Sequence, residues 1–362
     1  MDIPKPTYYW DYIKVDRLLS LQGGLEDDDA NISTEEVLFV TVHQVFELWF
    51  KLILKDLAAT RDLFKAEVLS NEDMVQVVTR LERCATIFRA ANQHWDVVET
   101  LPPREYLKFR GKLMPASGFQ SAQLRQLEIL MGLAEEDRIA FGAPGSHLAS
   151  LRGKSGTETE SSRRVAAQMK DLPTLKDAVL AWLERTPIGG ADHHAGSHEE
   201  FIDQYLATHS SELDESLKMA KTVASMDDDD RRLNDLYDGE RASVRAFLKP
   251  DDERTARIRA AILFIETYAE EPLLAWPHRV LEGILEMEQL FVIFRQRHAR
   301  MVERIIGRRT GTGGTAGVEY LDQTALKYRI FPDLWTVRSL LINPNVAPAL
   351  SGADFFGLRA EE

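Results

Sequence analysis

His298 and His43 are the residues whose surroundings in the sequence invite chemistry. Val280, Ile284, Met287, Phe291, Phe294, then Met301 or Val302 and Ile305 recur at three- and four-residue spacing, and His298 fills the slot between Phe294 and Met301. That spacing puts an imidazole on the buried stripe of a helix. Arg295, Arg297 and Arg300 flank it on the other faces. A buried neutral imidazole with apolar neighbours and cations nearby meets three needs of a haem: an axial nitrogen, apolar walls for the macrocycle and positive charge for its propionates. A core histidine bonded to a carbonyl is the commoner fate of such a residue, and the pattern leaves both open. His43 lies in VTVHQVFELWFKLILKDL, apolar on nearly every side, with Phe39 one turn before it and Phe46 and Phe50 after it. Its ring needs a partner for at least one nitrogen, and no side chain close in sequence supplies one.

Two further motifs offer charge recognition. Tyr106 and Arg110 stand one helical turn apart in LPPREYLKFRGKLMPASGFQ, followed by Ser117 before Gly118. Arginine holds a carboxylate through two parallel hydrogen bonds, and the tyrosine supplies a ring wall or a hydroxyl. Gly307 suits a helix C-cap, and RRTGTGGTAGVEY after it lacks the lysine of a Walker loop. Such a loop still presents backbone N–H groups and the Thr312 hydroxyl to a charged ligand end, or serves simply as a flexible connection. His193, His194 and His198 in ADHHAGSHEE read better as a solvated loop than as a metal site, because nothing rigid lies under them.

Helices must position these groups. Apolar residues at helical spacing mark segments near 33–66, 72–100, 104–133, 173–185, 198–223, 253–270 and 277–306, and alternating β-branched runs are almost absent, so the expected class is all-α. Ser33 or Thr34 with Glu36 forms a capping-box signature. Residues 143–164, 187–197 and the four aspartates 227–230 read as loops. The chemistry candidates near 43, 110 and 298 are far apart in sequence, which favours one helical-bundle domain over 1–362 with a more polar inserted section from about 187 to 250.

The chain has 362 residues, 44% of them hydrophobic, ample for a core. A net charge of −14 speaks against nucleic acid as a partner, since phosphate backbones are bound through basic patches. The single cysteine, Cys84, excludes an internal disulfide and a four-thiolate metal site and reads as a small core residue. MDIPKPTYYWDYIK lacks the basic start and apolar run of a signal peptide, and no stretch reads as ~20 uncharged apolar residues. The expectation is a cytoplasmic protein without a membrane partner.

Taken together, HQVFELWFK at 43–51, FR then SGFQS within 109–121, AWLERTP at 181–187, RHARMVERIIG at 297–307 and GTGG with YL and T within 311–324 resemble the tryptophan 2,3-dioxygenase family. The resemblance runs from about residue 8 to 345 and is vague only between 187 and 250. It implies an all-α enzyme with haem b, ferrous in the active form, buried between helices. Such an enzyme adds both atoms of O2 across the indole C2–C3 bond of L-tryptophan to give N-formylkynurenine, the first step of tryptophan breakdown by the kynurenine route. By the same resemblance His298 is the axial iron ligand, and His43 hydrogen-bonds the indole N–H as a positioning partner rather than an obligatory base. Arg110 grips the substrate carboxylate, Thr312 meets its ammonium and carboxylate, Phe39 and Tyr106 wall the pocket, and Ser117, Arg125 and Phe294 lie close to the haem. An N-terminal arm over residues 1–25 reaches a neighbouring subunit's pocket with Tyr9, Tyr12 and Ile13, which implies a homotetramer built as a dimer of dimers.

The chain departs from the family pattern at Trp10, where glycine is usual, at Asp322, where arginine is usual, and at Phe294, often tryptophan. A superfamily haem oxygenase for a substituted tryptophan or related indole, inserting one oxygen atom, is the alternative activity. A non-catalytic haem or tryptophan sensor is the alternative class.

Overall fold

The computed structural model describes residues 7–114, 120–139, 148, 150–153, 156–189, 197–223, 227–309, 317–350 and 353–356. Its helices are α1 (Tyr9–Tyr12), α2 (Val15–Leu19), α3 (Thr34–Phe64), α4 (Asn71–Val98), α5 (Pro103–Phe109), α6 (Ala122–Met131), α7 (Glu160–Gln168) and α8 (Leu175–Glu184). They continue as α9 (Ser197–Val223), α10 (Asp227–Leu248), α11 (Glu253–Thr267), α12 (Pro272–Ile306), α13 (Val318–Lys327), α14 (Pro332–Val337) and α15 (Ala353–Phe356). No strand occurs among the described residues, so the all-α expectation holds.

The chain forms two compact units, each assembled from three segments. The first comprises Met1–Asp56, Cys84–Leu172 and Gln289–Tyr328, the second Leu57–Arg83, Pro173–Glu288 and Arg329–Glu362. The divisions fall inside α3, α4 and α12. In the second unit α11 is buried on nearly all sides, with Ile258, Ala261, Ile262, Leu263, Phe264 and Ile265 sealed among α8, α9, α10 and α14. Within that unit Gly283 lets α12 close on α4, since a Cβ there would stand 3.0 Å from that of Leu81. Glu288, almost fully buried, accepts from the Ile330 and Phe331 amides and the Trp335 indole and so satisfies the entry to α14.

Several local expectations hold. Ser33 Oγ accepts from the Glu36 amide at 3.2 Å, as a cap should, while the Glu36 carboxylate pairs with Lys112 instead of returning to the cap. Gly307 ends α12 with φ 62°, the left-handed conformation a C-cap needs. Cys84 is sealed in the core.

Other expectations are corrected. The segment read as one helix over 104–133 breaks at Phe109 into a 3-10 turn, Arg110–Leu113, and resumes at Ala122 behind a Ser121 cap whose hydroxyl accepts from the Leu124 amide. The four aspartates at 227–230 open α10 instead of forming a loop. Residues 160–164, the end of the segment assigned to a loop, are instead the start of α7 behind a Thr159–Ser162 capping box. His198 is not in a solvated loop but buried in the first turn of α9, whereas His193 and His194 lie outside the described residues. By length and composition α3 passes for a membrane-crossing helix, with an 18-residue window of mean hydropathy 1.6, yet Glu47 and Lys51 interrupt it, so the expectation that no stretch offers ~20 uncharged apolar residues stands. Its Val42, Phe46, Phe50, Ile53 and Leu57 are core residues, and Leu48 and Leu52 are exposed.

Candidate active site

All the expected site residues that the structure describes lie in the first unit. Helix α3 carries Phe39, His43 and Phe46 on one face because residues three and four apart share a face. The Phe39 and His43 rings lie 4.1 Å apart, and Phe39 is 5.9 Å from Tyr106 and 5.7 Å from Phe109, both on α5. On the other side His43 meets Phe46 at 6.2 Å, Phe46 meets Trp95 at 4.5 Å, and Trp95 stacks on His298 at 5.1 Å with ring planes 10° apart. A continuous aromatic run thus joins the two histidines to the Tyr106–Arg110 turn. Phe294 closes it, edge-on to Phe46 at 5.2 Å and to Phe50 at 5.6 Å.

The two imidazoles are held in defined states. His43 Nδ1 is 2.7 Å from the Phe39 carbonyl, which can only accept, so Nδ1 carries the proton and Nε2 keeps its lone pair. Burial lowers the His43 pKa against the opposing pull of that carbonyl and of Glu47, so the ring is neutral near pH 7. His298 is more strongly affected: burial, then the like charges of His43 and Arg295, take it down to about 4. A neutral ring on a rigid helix, with aromatic walls and no hydrogen bond to a described residue, is the donor set an axial iron ligand requires, and the residues present therefore fit a haem. The buried Trp95 indole N–H, without an acceptor among the described residues, is consistent with that fit.

At the far end of the run the Arg110 guanidinium is hydrogen-bonded to the Tyr106 hydroxyl, while burial raises the Tyr106 pKa and keeps the phenol protonated. Glu47, one turn after His43, accepts from Ser121 Oγ at 2.6 Å and from Gln123 Nε2 at 2.8 Å. This ties the histidine-bearing helix to the start of α6. Ser117 and Thr312 lie outside the described residues.

Arg125 is ion-paired. It grips Glu128 at 2.8 and 3.0 Å, and the same carboxylate takes Arg138 at 2.7 Å and Arg295 at 2.8 Å. Burial alone would raise the Glu128 carboxyl, yet Arg125, Arg295 and Arg138 hold it far below the usual carboxylate range. Its contribution is therefore complete above the unfolded value near pH 4 and is lost only as pH falls through the depressed one. Glu128→Gln is expected to destabilise the fold by roughly 3–5 kcal/mol, because it leaves buried guanidinium groups without their counter-charge. Denaturant midpoints at pH 7 measure this.

Of the arginines flanking His298, only Arg295 turns inward. Arg297 pairs with Asp96 and Glu99, and Arg300 with Glu303 and Asp322, all at the partly exposed periphery. Tyr9 and Tyr12 are about three-quarters exposed on α1 and Ile13 is 41% exposed, so within one chain they take no part in this site. Trp95 and Arg138 are the additions that sequence reasoning missed. The only sequence signal for Trp95 was an aromatic residue one turn from the end of α4, and for Arg138 there was none.

The sequence profile of the family described as tryptophan 2,3-dioxygenase matches residues 2–341. The chain belongs to the tryptophan 2,3-dioxygenase family. Similar relatives include the tryptophan 2,3-dioxygenase of Sorangium cellulosum, 47% identical over 99% of this chain and 89% of that protein. Tryptophan 2,3-dioxygenase 2 of Ralstonia nicotianae is 45% identical over 97% of this chain and 98% of its own length. The tryptophan 2,3-dioxygenase of Bdellovibrio bacteriovorus is 31% identical over 96% of each. Membership of the tryptophan 2,3-dioxygenase family thus extends across the segments that carry His43, Arg110 and His298.

Proposed function

We propose that this chain is a haem-dependent dioxygenase that opens the indole C2–C3 bond of L-tryptophan with O2 and releases N-formylkynurenine. The observation that carries the reading is the neutral, half-buried His298 ring at one end of an aromatic run whose other end is the Tyr106–Arg110 turn, in a chain of this family. His298 would hold the iron of haem b, with Phe294 and Trp95 as walls. When bound, the haem supplies a ferrous centre at which O2 is activated.

The protein's own groups orient the substrate. Arg110 takes the tryptophan carboxylate in a two-point bond, and Thr312 meets the ammonium end. The His43 tautomer leaves Nε2 to accept the indole N–H, which fixes the ring without removing its proton. Phe39, Tyr106 and Phe109 exclude water from the indole and so strengthen each of these bonds. His43→Ala should keep its haem and lose kcat/KM by roughly 10- to 100-fold, the scale of one buried hydrogen bond at about 1–3 kcal/mol. Complete inactivity with haem in place would make His43 an essential base.

The working assembly is a homotetramer, a dimer of dimers in the cytoplasm. The Tyr9–Ile13 arm and the exposed Leu48 and Leu52 of α3 are apolar surface that a second copy would cover. Sedimentation of the wild type against Tyr9→Ser/Tyr12→Ser tests this. The activity itself is tested by reducing the haem-loaded protein without oxygen, then adding L-tryptophan and labelled O2. Both oxygen atoms should appear in the product; one atom, or no turnover, would overturn the assignment.

A further inference from the structure

The ion cluster beside His298 holds more positive charge than its own carboxylates offset. Arg125, Arg138 and Arg295 have side chains only 4, 5 and 8% exposed, around a Glu128 that is fully buried. Glu135, half exposed, reaches Arg138 at 3.2 Å. Three guanidinium groups against these two carboxylates leave one positive charge over. Among the described residues, the other titratable groups beside the cluster are phenols and the neutral His298 ring. Tyr320 lies near Arg125 with its pKa raised by burial, and the Arg295 guanidinium sits 5.0 Å over the Tyr328 ring. Residues 115–119, 140–147 and 310–316, which adjoin this unit's helices in sequence, contain no aspartate or glutamate.

Two buried donors, Arg138 Nη2 and Arg295 Nε, have no acceptor among the described residues. An uncompensated buried charge costs several kcal/mol, and buried guanidinium donors need acceptors, so a site of this composition suits an anion with planar oxygens. Arg295 stands one helical turn before His298 on the same face of α12.

We propose that Arg138 and Arg295 bind one propionate carboxylate of the haem, so that this buried cluster, and not the peripheral Arg297 and Arg300, sets the orientation of the macrocycle on His298. The inference rests on the haem reading above and adds to it the group that anchors the cofactor's edge. Glu128 and Arg125 hold the two arginines in place, and the carboxylate completes the charge balance.

The test compares the full chain loaded with iron protoporphyrin IX and with its dimethyl ester, following porphyrin release to apomyoglobin in the Soret region. Wild type should release the ester at least about tenfold faster than the free acid, as expected for loss of a charge-assisted hydrogen bond. Arg138→Met and Arg295→Met should release the natural haem about tenfold faster and lose the discrimination. Arg295→Lys should restore part of it, and Arg297→Met and Arg300→Met should behave as wild type. Equal release of acid and ester by the wild type would overturn the proposal even if the methionine variants do not fold. Discrimination that survives in folded Arg138→Met and Arg295→Met would overturn it too, as would a raised KM for tryptophan with unchanged haem release, which would give the cluster to the amino-acid carboxylate. Uptake of neither porphyrin would instead refute the haem reading itself.

Discussion

His298→Ala purifies as a folded helical protein with almost no haem, and its Soret band is absent or reduced to a loosely held trace. The ring it removes is half-buried, neutral and without a hydrogen bond to any described residue, so its loss leaves a small cavity and no unpaired polar partner among them. Stability of the haem-free chain should therefore change by only about 1–3 kcal/mol, whereas the cofactor loses its axial bond altogether. Exogenous imidazole should restore part of the Soret band by occupying the space beside Trp95. Haem stoichiometry measures the effect, and an ordinary spectrum with a full complement of haem would show that a different group binds the iron.

Arg110→Ala keeps its haem and its fold but handles tryptophan poorly. A carboxylate placed against a partly buried guanidinium loses its partner, so kcat/KM should fall by about 2–4 kcal/mol of transition-state stabilisation, roughly 30- to 1000-fold. Most of that should appear in KM. Tryptamine, which lacks the carboxylate, supplies the control: its kcat/KM, however low, should be nearly the same in wild type and variant. Arg110→Lys should recover little, because a point charge does not reproduce the two-point fork and would lose the bond to Tyr106. Unchanged steady-state constants for tryptophan in Arg110→Ala would place this arginine outside the substrate site.

These outcomes follow from groups whose legibility differed. The His298 stripe was readable because helical periodicity is a local property, and Val280, Ile284, Met287, Phe291, Phe294, Met301 and Ile305 are all buried as the spacing predicts. The turn linking Tyr106 and Arg110 was readable for the same reason. The break at Phe109 was signalled by Gly111, Pro115 and Gly118, but the apolar spacing on either side of them reads through as one helix. The four aspartates were misread because charge runs are usually solvated loops, whereas here the run is the first turn of α10.

The amino-acid sequence alone determined that this is an all-α chain of a recognisable family, which imidazoles sit on buried helix faces, and which arginine accompanies a tyrosine. These are matters of period and neighbouring residues along one strand of chain. Only the tertiary structure decided which of three arginines near His298 is buried, that Trp95 lies flat on that ring, and that Glu128 gathers cations from three places in the sequence. Packing brings residues from distant segments into a medium where charge must be matched, and no spacing rule encodes which of them will meet there.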